Sequence, residues 1–407
     1  GGLFAKGLVC RDNATGSHTN DPETGQILDT GNGGCVYSFQ CTFECDECTF
    51  SGNHATSGGA IGTLGGKIRV TASTCADNEA RYDASDNVNQ GCGGCLCQDG
   101  TETAPGTEET NYVELCGNEL SGNVADGSGG AVQLFYRQGT RTRFAFERNF
   151  CHDNSGGEAG MLHAGGGCLY VYVDTETKIE WAPDEGPDEF VVSANAFLDN
   201  SAEYLGGGAA IYNIWNTATR FDNNLFLRNA VRTNDQQSDG GGALGLVGAF
   251  FDLEHNTFVD NRAGNWTGGV HLGAGGVALR NNIFVRSSAP YIPGGTQFEP
   301  SEHVNWVLDE TDDGSDAGFL VYASGGNLFM PTATLGGEPR PTPGGAVLDE
   351  DPLLGELVEG DAFPPYLPLL SGSPAIDAGV ATEGVSVDIR GQPREGPRDI
   401  GAFELGP

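Results

Sequence analysis

The hexapeptide Asn195-Ala-Phe-Leu-Asp-Asn200 recurs along this chain with small variations, and this repetition decides the fold. Two close copies are Asn224-Leu-Phe-Leu-Arg-Asn229 and Asn256-Thr-Phe-Val-Asp-Asn261. Successive copies start between 25 residues (48 to 73) and 46 residues (149 to 195) apart. A unit repeated at this spacing predicts a solenoid of stacked coils, in which the longest steps contain either an inserted loop or a second, degenerate coil. The remaining copies are Cys48–Asn53, Ser73–Asn78, Asn118–Asn123, Asn149–Asn154, Asn282–Ser287 and Asn327–Met330.

A second phrase, Gly-Gly-Ala before an apolar residue, follows the first after several residues. It is seen in Gly129-Gly-Ala-Val132 and Gly241-Gly-Ala-Leu244, with related copies at Gly58, Gly207 and Gly268. Glycine at a recurring position allows positive φ and the close approach of a neighbouring backbone. We therefore expect a tight bend here in each coil, which accounts for part of the 65 glycines in 407 residues.

The third position of the hexapeptide is apolar in every copy. These segments read as short strands bounded by Gly, Asn and Asp, without a helical period. We expect the third side chains to stack along the inside of an all-β, parallel β-helix. They are Phe50, Cys75, Leu120, Cys151, Phe197, Phe226, Phe258, Phe284 and Phe329.

The paired phrases resemble the repeats of polymorphic outer-membrane proteins and related secreted proteins. The resemblance implies a right-handed parallel β-helix of the pectate-lyase type with long loops, and a family of adhesins, surface structural proteins and polysaccharide-degrading enzymes. The C-terminal stretch resembles the choice-of-anchor Q module of bacterial secreted β-helix proteins. We thus expect an N-terminal cap or assembly segment (1–40), the β-helix repeats (41–345) and a C-terminal capping module (346–407). The residues that match the module are Asp351–Leu353, Ser373–Gly379, Asp388–Gly391 and Arg398–Glu404.

The chain is strongly acidic. Its 56 Asp and Glu outnumber 20 Lys and Arg, which gives a net charge of −36. Such a surface repels nucleic acid and anionic membranes, since both require cationic partners. The charge favours solubility, divalent cations or a salty medium, and we expect no nucleic-acid partner.

The twelve cysteines all lie in the first half of the chain. An even, clustered set predicts up to six disulfides formed outside the cytosol. Two Cys-x-x-Cys pairs leave a zinc site as the alternative, although no histidine follows at the spacing of a zinc finger. The disulfide candidates are Cys10, Cys35, Cys41, Cys45, Cys48, Cys75, Cys92, Cys95, Cys97, Cys116, Cys151 and Cys168.

The N-terminal residue and hydropathy predict a secreted or cell-surface protein. The sequence starts at Gly1 without a charged and apolar leader, as expected of a mature chain whose signal peptide has been removed. No apolar run reaches the roughly 18 residues of a membrane-spanning helix, so we expect no membrane span. Asn13 and Asn265 match the acceptor pattern for N-glycosylation.

One basic cluster stands out, formed by Arg137, Arg141, Arg143 and Arg148. Arg141 and Arg143 are expected on one face of a strand, because alternate residues point the same way. The cluster is interpreted either as an outward face paired with carboxylates of this or a neighbouring subunit, or as a surface that binds a polyanion or another partner.

Acidic loops are the richest chemical feature. Asp309, Asp312, Asp313 and Asp316 surround a glycine and offer the oxygen ligands that Ca²⁺ prefers, although a solvated acidic loop is the simpler interpretation. A second acidic run spans residues 184–189. Calcium is the only cofactor indicated, and none is required by the sequence.

Two functional hypotheses follow. The leading one is a secreted or cell-surface structural or adhesive protein that self-associates as a subunit of an extracellular fibre or surface layer, and that binds polysaccharide as a further partner. The alternative is a Ca²⁺-dependent polysaccharide lyase or glycoside hydrolase. It requires a groove in which Arg or His lies beside clustered carboxylates, and no residue of the sequence is assigned a catalytic role.

Overall fold

A computed structural model describes most of the chain. The described residues are 1–15, 19–20, 27–28, 31–81, 91–100, 111–137, 142–157, 164–174, 189–214, 218–232, 240–264, 267–289, 306–308, 320–330, 334–335, 338–339, 347–348, 350–360 and 363–405. They contain strands but no helix.

Three long sheets carry nearly all the described strands, and every pairing within them is parallel. Sheet A contains Gly2–Lys6, Val36–Asp46, Ile61–Thr71, Leu96–Asp99, Asn111–Cys116, Val132–Arg137, Thr142–Glu147, Leu169–Asp174, Glu189–Ser193, Ala209–Ile214, Ala218–Asp222, Leu244–Glu254, Val270–Arg280, Trp306–Leu308 and Leu320–Gly325. Sheet B contains Val9–Arg11, Thr49–Ser51, Thr74–Ala76, Glu119–Ser121, Phe150–His152, Ala196–Leu198, Leu225–Leu227, Thr257–Val259, Ile283–Val285, Leu328–Met330 and Val347–Leu348. Sheet C contains His54–Ala55, Glu79–Ala80, Val124–Ala125, Ser155–Gly156, Ser201–Ala202 and Ala230–Val231. Two short antiparallel pairs join Thr19–Asn20 to Ile27–Leu28 and Thr334–Leu335 to Glu338–Pro339.

The register of these strands confirms the predicted all-β, parallel β-helix. Equivalent residues of successive repeats are direct partners, as Phe197 and Phe226 are in sheet B. The strand Thr74–Ala76 pairs directly with Glu119–Ser121, although the two repeats start 45 residues apart (73 to 118). The long step is therefore one coil with an insertion, and a second degenerate coil is excluded at this place.

The predicted internal stack is confirmed. The third residues of the repeats are 0–3 % exposed. In the second half of the solenoid their rings lie parallel, with centroids 4.6 Å apart for Phe197 and Phe226 and 4.8 Å apart for Phe284 and Phe329. The rings therefore stack at close to the spacing of parallel strands along the interior.

Two ladders of buried asparagines run beside this stack. The backbone N–H and side-chain Nδ2 of Asn195 both donate to Oδ1 of Asn224 in the next coil, at 3.0 and 2.9 Å. Nδ2 also donates to the carbonyl of Phe146 in the previous coil at 2.7 Å. Because the same three bonds recur from coil to coil, the buried amides inside the ladders have their partners. The ladders comprise Asn13, Asn53, Asn78, Asn123, Asn154, Asn200, Asn229 and Asn261, and Asn118, Asn149, Asn195, Asn224, Asn256, Asn282 and Asn327.

The bends between sheets are made by the residue before each ladder asparagine. Asp199, for example, has φ +54° and Asn223 has φ +56°. The Gly-Gly phrase makes the third bend, as predicted. Gly58 has φ +62°, and a Cβ on Gly59 would collide with the carbonyl of Gly94 in the next coil. Only glycine fits such an approach.

The solenoid already includes residues assigned to an N-terminal segment in the sequence analysis. Gly2–Lys6 and Val9–Arg11 pair with the next coil in sheets A and B, and Asn13 is the first rung of one ladder. In this coil, Cys10 takes the position that Phe50 occupies in the next coil.

Five disulfides join ten of the twelve cysteines, while Cys41 and Cys116 are free thiols. Three of the bridges occupy equivalent places in three different coils and connect the strand of sheet B to the bend before sheet A. The pairs are Cys10–Cys35, Cys75–Cys95, Cys151–Cys168, Cys45–Cys48 and Cys92–Cys97. The bridges restrict the unfolded chain within single coils.

The C-terminal module packs along the side of the solenoid in the described residues. Its apolar residues, such as Ile389 and Ile400, cover Leu225 and Ile283 on the outer face of sheet B. Hydrogen bonds hold this C-terminal segment together and tie it to the solenoid. Asp388 accepts from the backbone of Arg390 at 2.9 Å, and Arg394 contacts both Glu404 and Asn223 of the solenoid at 2.7 Å.

Two histidines are buried in the solenoid, and one of them, His255, lies at this junction. His255 is fully buried, and its Nε2 lies 3.0 Å from Nδ2 of Asn281. Burial, and then the charges of Arg394 and Arg398, lower its pKa well below the ordinary value. Burial also lowers the pKa of His271 to about 4.

We predict that replacing one rung of a ladder destabilises the protein far more than replacing its neighbour. Asn118→Ala removes the acceptor for the N–H of Ser73 and the donor to Val70. We expect a loss of about 3 kcal/mol or more, because each stranded polar group costs about 1–3 kcal/mol. Glu119→Ala, at the partly exposed next position, is the control. Equal urea midpoints for the two variants would contradict the ladder's role.

We also predict that acid weakens the fold through the buried histidines. In the unfolded chain His271 takes up a proton below about pH 6.5, whereas in the folded protein it does so only near pH 4. Between these two pH values the free energy of unfolding falls by about 1.4 kcal/mol for each pH unit of acidification. His255 acts in the same direction. Urea melts at pH 7.5 and 5.5 should therefore show a smaller acid loss for His255→Gln and His271→Gln than for the unmodified protein. His54→Gln, at a partly exposed site, should retain the full loss.

Candidate functional site

A column of residues lies just beyond sheet C, three places after successive asparagines of the ladder that runs from Asn13 to Asn261. Its members in five successive coils are Arg81, Asp126, Gly157, Glu203 and Arg232. Their backbone N–H groups all donate to the coil before, as Asp126 does to Ala80 and Glu203 does to Gly156. The sheet therefore fixes two carboxylates on either side of a glycine, with an arginine beyond each.

Each carboxylate of this column is held by the arginine beside it. Nη1 of Arg81 lies 2.8 Å from Oδ1 of Asp126, and Nε of Arg232 lies 3.2 Å from Oε2 of Glu203. The two carboxylate side chains are only 8 % and 12 % exposed, whereas the arginine side chains are 40 % and 39 % exposed. The arginine side chains thus reach solvent, while the carboxylates that hold them are largely buried.

Arg232 folds back across two coils. Its Nη1 donates to Oγ of Ser155 at 2.7 Å, and its Nη2 donates to the carbonyl of Gly157 at 2.7 Å. Arg81 approaches from the opposite direction. Both arginines therefore converge on the gap that the missing side chain of Gly157 leaves.

This gap is an open cleft of about 470 Å³. Besides the charged column, its lining includes Val124, Ala125 and Ser155. It combines fixed donors, fixed acceptors and a small aliphatic surface, which are the components of a polar ligand site.

The outer face of sheet A carries a second charged group. Arg69 lies 2.6 Å from Glu114 and 3.1 Å from Glu44, and Arg143 lies 3.1 Å from Glu114. Tyr112 packs under Arg69, and burial together with its bond to Glu44 raises its pKa to about 12. This part of the face is an ion-pair ladder between coils.

Further along sheet A, Asp222, Asp252 and Glu254 form a carboxylate group. Burial is the main cause that raises the pKa of each. Arg280 lies 2.6 Å from Asp252 and also contacts Glu254, while Arg220 lies 2.7 Å from Asp222. Carboxylates that resist ionisation are candidates for acid–base chemistry.

Two side chains of the predicted arginine cluster, those of Arg143 and Arg148, lie in the described part of the structure. Arg143 pairs with carboxylates of sheet A, while Arg148 occupies a bend with φ +54° and donates to the carbonyl of Phe363 in the module at 3.4 Å. Arg137 belongs to the strand Val132–Arg137, and Arg141 lies outside the described residues. No shared face of Arg141 and Arg143 is therefore described.

The other predicted site residues fall largely outside the described part of the chain. This holds for Asp309, Asp312, Asp313 and Asp316 and for Asn265. Asn13 is exposed, and its Nδ2 donates to Asn53 at 2.9 Å. In the described ranges, His, Cys, Asp and Glu form no group of three placed to hold a metal ion.

The cleft was not predicted from the sequence, because charged residues were considered as contiguous runs and not as single positions in successive repeats. The signal was nevertheless present. Counting three residues on from Asn78, Asn123, Asn154, Asn200 and Asn229 gives Arg, Asp, Gly, Glu and Arg. A symmetrical charge pattern at a fixed offset of a repeat indicates one surface column.

Comparison with known proteins leaves the function open. The chain matches no protein-family model, and no curated protein matches it. Within the described ranges, no helix is long and apolar enough to cross a membrane.

Proposed function

We propose that this protein is a structural and adhesive rod of the extracellular space, and a subunit of a fibre or surface layer. The resemblance of its repeats to those of polymorphic outer-membrane proteins supports this function. The interior supports it as well, because the aromatic stack and both asparagine ladders continue from coil to coil. Disulfides in the first half of the chain add resistance to unfolding, as suits a durable extracellular assembly.

The observation that carries the proposal is the open edge beside Gly2–Lys6. Leu3 pairs in register with Phe43 and faces the same interior column, yet it is 50 % exposed, whereas Phe43 is fully buried. Among the described residues, no strand lies beyond Gly2–Lys6 in sheet A or beyond Val9–Arg11 in sheet B. An edge with an uncovered core accepts a further parallel strand, which a second copy of the chain supplies in our proposal.

We predict that the natural protein assembles end to end and that Leu3→Lys prevents this. The lysine places a charge at the open end of the core, where an added coil would bury it at a high cost. Phe4→Lys, one residue on and facing outward, is the matched control and should retain assembly. Sedimentation velocity and electron microscopy of negatively stained samples measure both. Natural protein that stays monomeric at high concentration, or equal assembly by both variants, would refute the proposal.

A second candidate function is the alternative of the sequence analysis, a Ca²⁺-dependent polysaccharide lyase or a glycoside hydrolase. The specific observation in its favour is the carboxylate group of Asp222, Asp252 and Glu254, because burial raises the pKa of each toward the protonated form that a general acid needs. Arg220 and Arg280 would stabilise developing negative charge.

For this second function, we predict that one of a panel of acidic and neutral polysaccharides yields unsaturated products or new reducing ends in the presence of Ca²⁺. Asp222→Asn should lower that rate by about 100-fold, the usual order for loss of a general acid or base. Asp199→Asn, at an exposed pair with Arg228, should leave the rate unchanged. The absence of products across the panel would reject the candidate.

A further inference from the structure

We infer that the cleft between Asp126 and Glu203 binds a neutral oligosaccharide. The inference supplies the ligand class for the adhesive part of the proposed function and rests on that function in this respect. It is carried by the cleft alone and does not depend on the open edge at Leu3.

Gly157 opens the site. A Cβ at this position would lie 2.9 Å from Cβ of Glu203 and 3.0 Å from Cβ of Ala164, and its φ is +84°. A larger residue would collide here, so the column carries no side chain between Asp126 and Glu203, and this place forms part of the cleft lining. Nη2 of Arg232, which donates to the Gly157 carbonyl, lies beside Val124 in the same lining.

The polar groups of the cleft are fixed before any ligand arrives. Arg232 makes bonds to Glu203, Ser155 and Gly157 at once, so its guanidinium is held in one orientation. Arg81 is held between Glu79, at 3.2 Å, and Asp126, at 2.8 Å. Groups that are already ordered lose little conformational entropy on binding, which favours affinity for a weakly interacting ligand.

The charge balance selects a neutral ligand. Two arginines face the two carboxylates of the column, and Glu79 beside Arg81 adds a third, so the site has no excess of positive charge and the protein as a whole carries −36. An anionic ligand is repelled at long range and finds each guanidinium already paired. Sugar hydroxyls both donate and accept, so they match the mixture of arginine donors and carboxylate, carbonyl and serine acceptors.

The dimensions select an oligosaccharide. Asp126 and Glu203 lie two coils apart, a separation of about 9.6 Å at the usual strand spacing. Polar groups therefore extend along the solenoid axis over more than one sugar ring. Val124 is partly exposed and offers an aliphatic surface against which the C–H face of a ring can pack.

The test is calorimetric titration of the natural protein with cellohexaose, xylohexaose and mannohexaose, and with hexagalacturonate as the acidic comparison. We expect at least one neutral hexasaccharide to bind, and hexagalacturonate to bind at least tenfold more weakly. Val124→Trp fills the cleft without removing an ion pair and should abolish binding. Thr74→Trp, at an outward position of sheet B, is the matched control and should bind as the unmodified protein does.

A conservative variant separates recognition from simple obstruction. Asp126→Asn keeps the shape of the side chain but removes its charge, and it should weaken binding by about tenfold. Binding by none of the neutral hexasaccharides, a preference for hexagalacturonate, or full affinity in folded Val124→Trp would each overturn the inference. Because Val124→Trp should still assemble and Leu3→Lys should still bind sugar, a failure of the cleft is distinguishable from a failure of the proposed assembly.

Discussion

The fold depends on the need to pair every polar group inside a coil that is too small to hold water. Asn224 shows how a ladder asparagine meets this need. Its Oδ1 accepts two hydrogen bonds from Asn195 in the coil before. Its Nδ2 donates to Oδ1 of Asn256 in the coil after and to the backbone carbonyl of Val192. An unpaired amide at this depth would cost several times what one bond contributes. The ladder therefore holds adjacent coils in register, and the phenylalanine stack beside it fills the remaining volume.

Because the ladder and the phenylalanine stack hold the coils together from inside, the residues on the outer surface of the solenoid can vary. The interior positions repeat along the chain, while the position three residues after the asparagine changes from Arg81 to Asp126 to Gly157 without disturbing the ladder. The functional residues of such a solenoid lie in columns across neighbouring coils and not in contiguous sequence motifs. Neighbouring coils bring together equivalent residues that are 25 to 46 positions apart, and the bonds Arg232–Glu203 and Arg81–Asp126 are two examples of such contacts.

The many acidic residues play different parts in different columns. On sheet A, Glu114 serves as a shared partner of two arginines from the coils on either side. Asp222 and Glu254 are instead buried, and their pKa values rise because the charged form is poorly solvated. In the cleft, Asp126 and Glu203 orient arginines toward solvent. The same net charge thus supports solubility, cohesion between coils and local recognition.

The class of fold, the stack that includes Phe50 and the bends at Gly58 and Gly129 were all predictable from the amino-acid sequence. The reason is that a repeated pattern must bury its apolar and amide side chains in the same way in every coil. The sequence also indicated disulfides, but not which cysteines pair, since that depends on which bends face which strands. Only the tertiary structure placed the C-terminal module along sheet B and gathered Arg81, Asp126, Glu203 and Arg232 around one glycine. Those arrangements arise from contacts between distant segments, and insertions of variable length between repeats hide such contacts in the linear chain.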